Sequence, residues 1–375
     1  MGRPCENPVW PCAMVGAASA LAAIDGVGVV IHGSSACYFY ADAVIPDPLN
    51  CTYLLEHEVV FGTEDRLREV VEAVSPLCEQ VAVVNSCVPS TIGEDVGQFL
   101  SDYHAIVVDA PGFAGDLGEG FRRAVAALAP AIDPARAGVN LDGCISTDLF
   151  STGNRREAER LLSMAGIPVA ATYCRDTLAS VRRPSPVTLI LVPDIASGIG
   201  DAAGVMLGLA GVQDAFVRLA SLFPDADISP VMDEAEEAEE RIIIACDRYL
   251  RAHDPPVIGI VAMAGYAGMI TDLCTTYLDA DVAFAASRTV LPPPEGYGDI
   301  VYAPDIGSVR ACLEDVSPDI IFGSAYEAAL APGAVQVQVT LPMKKSLMLC
   351  NRPLAGIEGS LWVIERVLAA GLSTC

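Results

Sequence analysis

The chain has 375 residues, 52% of them hydrophobic and 19% charged, so it can bury large cores and is long enough for two or three domains. It carries 48 acidic against 22 basic residues, a formal net charge of −26. Nucleic acids and anionic membranes attract basic surfaces, so this balance argues against both as partners.

The chain contains thirteen cysteines but no recognisable secretion signal. Its N-terminal sequence, MGRPCENPVWPC, lacks the charged-then-apolar pattern of a signal peptide. The most apolar stretch, residues 13–30, is interrupted by Asp25 and Gly26 and falls short of a membrane span. We therefore predict a cytoplasmic protein, in which reduced cysteines are metal ligands, catalytic groups or core residues more often than disulfides.

Runs of β-branched residues alternate with Ala- and Leu-rich stretches along the chain. The predicted strands are residues 27–31, 81–85, 105–109, 139–142, 167–172, 187–192, 257–262, 282–286, 319–322 and 335–339. Apolar runs without alternation suit strands that helices cover on both faces, as in parallel sheets. The predicted fold class is α/β, with three doubly wound, Rossmann-like domains and mostly parallel sheets around a central cleft. The predicted domains are residues 1–150, which carry the cysteines discussed next, 151–232 and 233–375.

Three cysteines in the first quarter of the chain stand where a strand or loop leads into a predicted helix. Cys12 follows Pro11 in PCAMVGAASALAAI, where it begins a predicted helix, Cys37 closes the turn in VGVVIHGSSACYFY, and Cys87 follows the apolar run in VAVVNSC. The positive end of a helix dipole lowers the pKa of a thiol and favours the thiolate that metals bind. Cys37 and Cys87 both follow strands, so they are expected at the carboxyl edge of a sheet, where ligands bind. Three thiolates meeting there predict an iron–sulfur cluster.

The remaining cysteines have a simpler interpretation, because cysteine is among the most buried residue types. We predict core positions for Cys78, Cys144, Cys246, Cys274 and Cys312. No two cysteines have the CxxC spacing, which argues against a zinc ribbon and a ferredoxin-type cluster.

Several segments follow one another as they do in nitrogenase component 1 proteins. In the first domain they are PCAMVGAASALAAI, IHGSSACYFY, EHEVVFGTEDRLREVV, AVVNSCVPSTIGEDVGQF and VVDAPGFAGDLGEGF. STGNRREAERLLSMAGI resembles the second domain of that family, and PDIIFGSAYEAAL with TLPMKKSLMLCNRPLAGIEGSLWVIERVL resembles the end of the third. The resemblance is greatest to the β-subunit side of the family and its cofactor-assembly relatives, and it spans nearly the whole chain.

This resemblance implies that Cys12, Cys37 and Cys87 are one subunit's ligands to a cluster at a subunit interface. The cluster would be [4Fe–4S], with a fourth ligand from a partner chain, another residue or solvent, or an eight-iron, P-cluster-like [8Fe–7S] cluster. The residues predicted to surround it are His32, Gly33, Ser34, Ser86 and Glu94. The implied partners are a homologous subunit, in a homo- or hetero-oligomer, and an ATP-dependent, NifH-like iron–sulfur reductase.

The chain departs from the family members that carry a molybdenum–iron cofactor. In those proteins a Cys of the second domain and a His of the third anchor the cofactor. Here the candidate segment VTLILVPDIASG contains no Cys, and no His follows His253. The predicted protein is therefore a nitrogenase-like oxidoreductase without a dinitrogen-reducing site.

Three functions are compatible with the sequence. The first is a redox subunit that passes electrons to a substrate such as a tetrapyrrole, with its catalytic residues unassigned. The second is a non-catalytic scaffold on which a complex metal–sulfur cofactor is assembled. The third is a Rossmann-like protein that binds a small ligand and no metal. Residues 198–203, GIGDAA, mimic a dinucleotide fingerprint, but we predict a glycine-rich helix packed on a sheet there.

Overall fold

The computed structural model describes residues 10–290, 300–343 and 348–373. The strands in these ranges are β1 (Val27–His32), β2 (Leu49–Cys51), β3 (Gln80–Asn85), β4 (Ile106–Asp109), β5 (Val139–Asp142), β6 (Val169–Thr172), β7 (Val187–Ile190), β8 (Asp201–Val205), β9 (Val257–Ala262), β10 (Asp281–Ser287), β11 (Ile300–Tyr302), β12 (Ile320–Gly323) and β13 (Val335–Gln338).

The α-helices of the same ranges are α1 (Ala13–Ala22), α2 (Ser35–Asp42), α3 (Glu56–Phe61), α4 (Glu64–Val74), α5 (Cys87–Ile92), α6 (Val96–Phe99), α7 (Leu117–Ala127), α8 (Ser151–Met164), α9 (Leu178–Arg182), α10 (Gly208–Leu222), α11 (Ser229–Leu250), α12 (Ala264–Leu278), α13 (Ile306–Leu313), α14 (Ala325–Leu330) and α15 (Gly356–Ser373). Among these described helices, none has both the length and the apolar character that a membrane crossing requires.

The first sheet has four parallel strands in the order β2-β1-β3-β4. The register sets Ile31 beside Cys51, and it sets His32 beside Asn85. Parallel strands end at the same edge of a sheet, so the turns after β1 and β3 begin side by side. This edge positions the candidate site.

Helices cover the first sheet and exclude water from its apolar strands. The core between the sheet and helices α4 and α6 consists of Val30, Leu67, Val71, Val74, Val81, Val83, Val96 and Leu100. Full burial of each Leu or Val side chain contributes about 1.5–3 kcal/mol. Helix α1 packs on β1 and β3 and crosses α7 closely. The crossing depends on Gly120, because a Cβ there would overlap the carbonyl of Ala13.

The other two sheets are also mostly parallel. The second has the order β6-β5-β7-β8, and the third has the order β11-β10-β9-β12-β13. All four strand pairs of the third sheet are parallel. Its core contains Val261, Phe284, Ala286, Ala303, Val309 and Ile321. Three mostly parallel sheets confirm the predicted α/β fold class.

The chain divides into two compact units. One comprises Met1–Thr147, Ala170–Pro186 and Ile195–Gly200, and the other comprises Asp148–Val169, Val187–Asp194 and Asp201–Cys375. The first sheet lies in the former unit and the third sheet in the latter. The three-domain division at residues 150 and 232 stays a prediction.

All ten predicted strands are present, and β2, β8 and β11 were missed. Each missed strand lies at the edge of its sheet, where it pairs on one side only. Two of them are three residues long, and β8 has the sequence DAAGV, which contains Ala and Gly. A strand at a sheet edge need not be a long run of β-branched residues, so these strands lack the pattern that identified the central ones. The predicted glycine-rich helix at residues 198–203 is wrong, because this segment leads into β8.

Candidate metal centre

All three predicted cysteines lie at helix starts, as the sequence indicated. Cys12 directly precedes α1, Cys37 lies in the first turn of α2, and Cys87 is the first residue of α5. All three are half-buried. Because α2 and α5 follow β1 and β3, Cys37 and Cys87 lie at the carboxyl edge of the first sheet.

The sulfurs of Cys12 and Cys87 converge on Gly112, in the turn after β4. A Cβ on Gly112 would lie 3.3 Å from each sulfur, so the two sulfurs are at most twice that distance apart. The Gly112 N–H donates a hydrogen bond to Cys87 Sγ across 3.0 Å. Next to Cys12, the Ala13 N–H donates to the Gly115 carbonyl, also across 3.0 Å, which joins the start of α1 to the same turn.

Cys37 lies beside Cys51, which the sequence left unassigned. The Ser34 hydroxyl is 3.7 Å from Cys37 Sγ, and the Ser34 carbonyl oxygen is 3.9 Å from Cys51 Sγ. Burial raises the pKa of the Cys51 thiol to about 11, and the nearby Cys37 adds to the increase. In the absence of a metal, Cys51 is therefore a protonated, buried thiol.

The turns after β1 and β3 touch at Gly33 and Ser86. A Cβ on Gly33 would overlap the Ser86 hydroxyl, so glycine is needed for this approach. Ser86 is completely buried, and its hydroxyl has no hydrogen-bond partner among the residues that the structure describes. A buried hydroxyl without a hydrogen-bond partner costs free energy.

His32 and Glu94 belong to a buried hydrogen-bond network that lies behind the turn. His32 Nδ1 is 3.2 Å from Thr52 Oγ1, and His32 Nε2 is 3.0 Å from Thr63 Oγ1. Glu94 accepts hydrogen bonds from the backbone N–H and the hydroxyl of Thr63, and its carboxylate is 3.5 Å from His32 Nε2. Burial lowers the pKa of His32, although Glu94 opposes this, which favours a neutral ring.

In this network both ring nitrogens of His32 contact threonine hydroxyls. Thr52 Oγ1 in turn accepts a hydrogen bond from the Gly33 N–H across 3.0 Å. His32 therefore positions the turn through Thr52, and Glu94 fixes the ring from the other side.

The cysteines at this edge are not grouped around one point. Across residues 10–290, 300–343 and 348–373, no three His, Cys, Asp or Glu side chains are grouped so that they could hold one metal ion. In a cluster each cysteine binds a different iron, so the sulfurs need not meet at one point. Soft thiolates select Cu(I), zinc and iron–sulfur clusters. The Ser86 hydroxyl, next to Cys87, has no partner among the described residues, and a hydroxyl can donate a hydrogen bond to a cluster sulfur.

The sequence missed two residues of this edge, Cys51 and Gly112. Gly112 could have been noticed, because Pro111-Gly112 follows the run at residues 105–109 after a single residue and marks a turn at the carboxyl edge. Cys51 had no comparable signal, since β2 is only three residues long.

The model of a family described as "Nitrogenase component 1 type Oxidoreductase" matches residues 12–371. The chain belongs to this family. The match begins at Cys12 and extends over all three sheets, which confirms the resemblance found in the sequence motifs. Nitrogenase component 1 proteins bind iron–sulfur clusters and act with a partner subunit and a NifH-like reductase.

Relatives within the family fall into two kinds. The nitrogenase molybdenum-iron protein beta chain of Methanococcus maripaludis is 21% identical, covering 96% of this chain and 93% of the relative. The nitrogenase iron-molybdenum cofactor biosynthesis protein NifN of a Nostoc species is 26% identical over 182 residues, 43% of this chain and 40% of that protein. The chain thus resembles both a nitrogenase subunit and a biosynthesis protein.

Solved nitrogenase component 1 structures share the fold. The structure titled "Nitrogenase Cp1 at pH 6.5" superposes with a TM-score of 0.81 at 17% identity, covering 98% of this chain and 93% of that one. "Nitrogenase Cp1 at pH 5" gives a TM-score of 0.75 at 16% identity, covering 97% and 88%. At these identities the likeness establishes the α/β fold.

Proposed function

We propose that this chain is the iron–sulfur redox subunit of a nitrogenase-like oxidoreductase. It takes single electrons from an ATP-dependent, NifH-like reductase and passes them through a cluster at a subunit interface to a substrate such as a tetrapyrrole. The observation that carries the proposal is the convergence of the Cys12 and Cys87 sulfurs on Gly112, at the same sheet edge as Cys37. We retain the cytoplasmic location and the three-domain boundaries as part of this proposal.

In this proposal Cys12, Cys37 and Cys87 hold the cluster as thiolates, and each thiol releases its proton when iron binds. The bound cluster supplies the ability to accept and release one electron at a time. The Gly112 N–H and the Ser34 hydroxyl donate to two of these sulfurs and so offset the negative charge that the thiolates bring. Ser86 adds a further donor.

The surface around the cysteines supports a homologous subunit as the partner across the cluster. Large apolar side chains are exposed on α2, on the segment after β2 and on α3: Phe39, Tyr53, Leu55, Val60 and Phe61. Phe61 and Val60 are 87% and 73% exposed. Exposed large apolar groups favour an interaction site, and a partner seated on them would shield the cluster from water.

An assembly scaffold is the second candidate, and the NifN relative favours it, since that protein is named for cofactor biosynthesis. A scaffold would hold its cluster on the same cysteines but release it to an acceptor protein. The two functions therefore share a binding site and differ in what leaves it, an electron or a cluster.

Iron binding is the first test, and we expect Cys37→Ala to lose most of its cluster while Cys246→Ala keeps it. Cys246 is a matched control because it is buried within α11, in the other compact unit. Iron and acid-labile sulfide per chain are measured after anaerobic purification. Equal iron content in the two variants would refute the ligand assignment, and an iron-free wild-type protein would favour the small-ligand-binding alternative.

Turnover separates the two cluster-based functions. The wild-type protein is incubated with a NifH-like reductase, ATP and candidate tetrapyrroles under anaerobic conditions. Reduction of a tetrapyrrole supports the redox subunit. Transfer of iron to an acceptor protein without any reduction supports the scaffold.

A further inference from the structure

Arg288 is a completely buried arginine at the carboxyl edge of the third sheet. It directly follows β10, and its backbone N–H donates a hydrogen bond to the carbonyl of Ala262, the last residue of β9, across 3.4 Å. Its Nη2 donates to the carboxylate of Glu327, which is equally buried in the first turn of α14. Arginine is almost never fully buried unless it is paired, so the guanidinium depends on this carboxylate.

Glu327 is held in place from the start of its own helix. One of its carboxylate oxygens accepts hydrogen bonds from the backbone N–H of Ser324, across 2.6 Å, and from the Ser324 hydroxyl, which closes a capping box on α14. Gly323 leaves room for this side chain, because a Cβ there would lie 2.9 Å from Glu327 Cγ. The other oxygen, which accepts from Arg288, therefore has a fixed position and orients the guanidinium.

Two of the three guanidinium nitrogens of Arg288 are left without a hydrogen bond. Nε and Nη1, which carry three of the five N–H groups, have no partner in the described parts of the chain. A buried donor without an acceptor costs free energy, and a charged donor costs more than a neutral one. Glu327 thus balances the charge of Arg288 but accepts from only one of its nitrogens, so the other two are available to an acceptor that a ligand brings.

The strand order of the third sheet places this pair where α/β proteins bind ligands. The order is β11-β10-β9-β12-β13, so the chain passes from β9 to β10 on one side and from β12 to β13 on the other. Connections that diverge in this way leave a crevice beyond the carboxyl ends of the two central strands, which is the usual ligand site of an open α/β sheet. Arg288 follows β10 and Glu327 follows β12, so the pair spans the end of β9 at this switch point.

The charges at this edge favour a ligand with a single negative charge. Asp305, the N-cap of α13, has a lowered pKa, chiefly because the Ser308 N–H donates to its carboxylate, and the nearby Arg288 adds to the decrease. One guanidinium therefore faces two carboxylates, Glu327 and Asp305, and a dianion such as phosphate would be repelled. A carboxylate carries one charge only, and its oxygens suit the N–H groups of arginine.

We propose that the carboxyl edge of the third sheet binds a small organic carboxylate, whose oxygens accept hydrogen bonds from Nε and Nη1 of Arg288. In this site Glu327 is a positioning residue, because it acts through the guanidinium. All of these residues lie in the compact unit that contains the third sheet. The site uses none of the predicted cluster ligands, so it goes beyond the proposed function and does not depend on it.

Isothermal titration calorimetry of the full chain with propionate tests the proposal. Propionate is compared with propionamide, which has a similar size but no charge, and with inorganic phosphate, all at one ionic strength because salt screens charges. Arg288→Lys is the main variant, since it keeps a positive charge opposite Glu327 but lacks the N–H groups of Nε and Nη1. Arg241→Lys is the matched control, because Arg241 is an exposed arginine of α11 in the same compact unit and pairs with Glu237.

We expect the wild type to bind propionate at least tenfold more tightly than propionamide or phosphate. Arg288→Lys should weaken propionate binding tenfold or more, and Arg241→Lys should match the wild type. Circular dichroism reports folding. If Arg288→Lys does not fold, the double variant Arg288→Met and Glu327→Gln, which leaves no unpaired buried charge, replaces it with the same expected loss.

Three results would overturn the proposal. A wild type that binds no propionate leaves the guanidinium to buried water. Equal binding of propionate by Arg288→Lys and the wild type places the carboxylate elsewhere on the chain. Equal binding of propionamide and propionate shows that the site does not recognise a carboxylate. The iron content of the protein enters none of these results, so they are separate from the tests of the cluster.

Discussion

At the scale of single residues, the candidate site depends on two glycines as much as on the cysteines that would bind metal. Gly112 leaves the space into which the Cys12 and Cys87 sulfurs converge, and Gly33 leaves the space for the Ser86 hydroxyl. A methyl group at either place would displace a functional atom. The positions of the sulfurs and of the Ser86 hydroxyl therefore depend on glycine at both places.

Gly112→Ala should weaken cluster binding without removing a ligand. Its Cβ would lie 3.3 Å from both sulfurs, so they must move by a few tenths of an ångström. Such overpacking costs about 1–3 kcal/mol. Iron content after a chelator challenge should fall relative to Gly333→Ala, whose Cβ meets no heavy atom within 4 Å. Equal iron retention in these two variants would contradict the packing that we describe.

At the scale of elements, the crossing of α1 and α7 fixes where Cys12 lies. Cys12 precedes α1, and the segment from Gly112 to Asp116 leads into α7, so the positions of Cys12 and Gly112 both depend on this helix pair. Two glycines allow the crossing: Cβ atoms at Gly16 and Gly120 would overlap the carbonyls of Leu117 and Ala13. The helix pair is thus a structural support for the site.

Gly120→Ala should destabilise the fold toward the upper end of about 1–3 kcal/mol, because the new Cβ would lie 2.6 Å from the carbonyl carbon of Ala13. Gly97→Ala in α6 is the control. Its Cβ would meet nothing closer than the Asp95 carboxylate at 3.4 Å, and alanine is favoured over glycine within a helix. Urea unfolding of both variants measures the difference. A Gly120→Ala protein as stable as the Gly97→Ala protein would show that the helices are not in backbone contact.

At the scale of the whole molecule, the acidic charge and the exposed apolar groups have separate consequences. The net charge of −26 keeps copies of the chain apart at low ionic strength. In the proposed oligomer, association across the cluster therefore comes from apolar contact, and Phe61 is the most exposed large apolar residue described in the structure. Salt should strengthen such an association, because it screens the repulsion.

Phe61→Glu should weaken association with the homologous subunit by tenfold or more, because it places a further carboxylate in an apolar contact. Leu77→Glu is the control, since Leu77 is 81% exposed but precedes β3 at the amino end of the first sheet. Sedimentation velocity of the iron-loaded protein, with its partner chain if the subunits differ, measures the change. If both variants associate equally, the partner does not contact α3.

The sequence by itself determined the α/β class, the ten strands with long apolar runs, the helix starts at Cys12, Cys37 and Cys87, and the family. The strands and helix starts are local features, because a strand buried on both faces needs a continuous apolar run and a helix start shows where such a run ends. The tertiary structure decided which sulfurs meet. It paired Cys12 with Cys87 at Gly112 and brought Cys51 beside Cys37, because strand order and the approach of helices join residues that are distant in the chain. It also revealed the edge strands β2, β8 and β11. These strands pair on one side only, so they do not need the continuous apolar run that identifies a central strand.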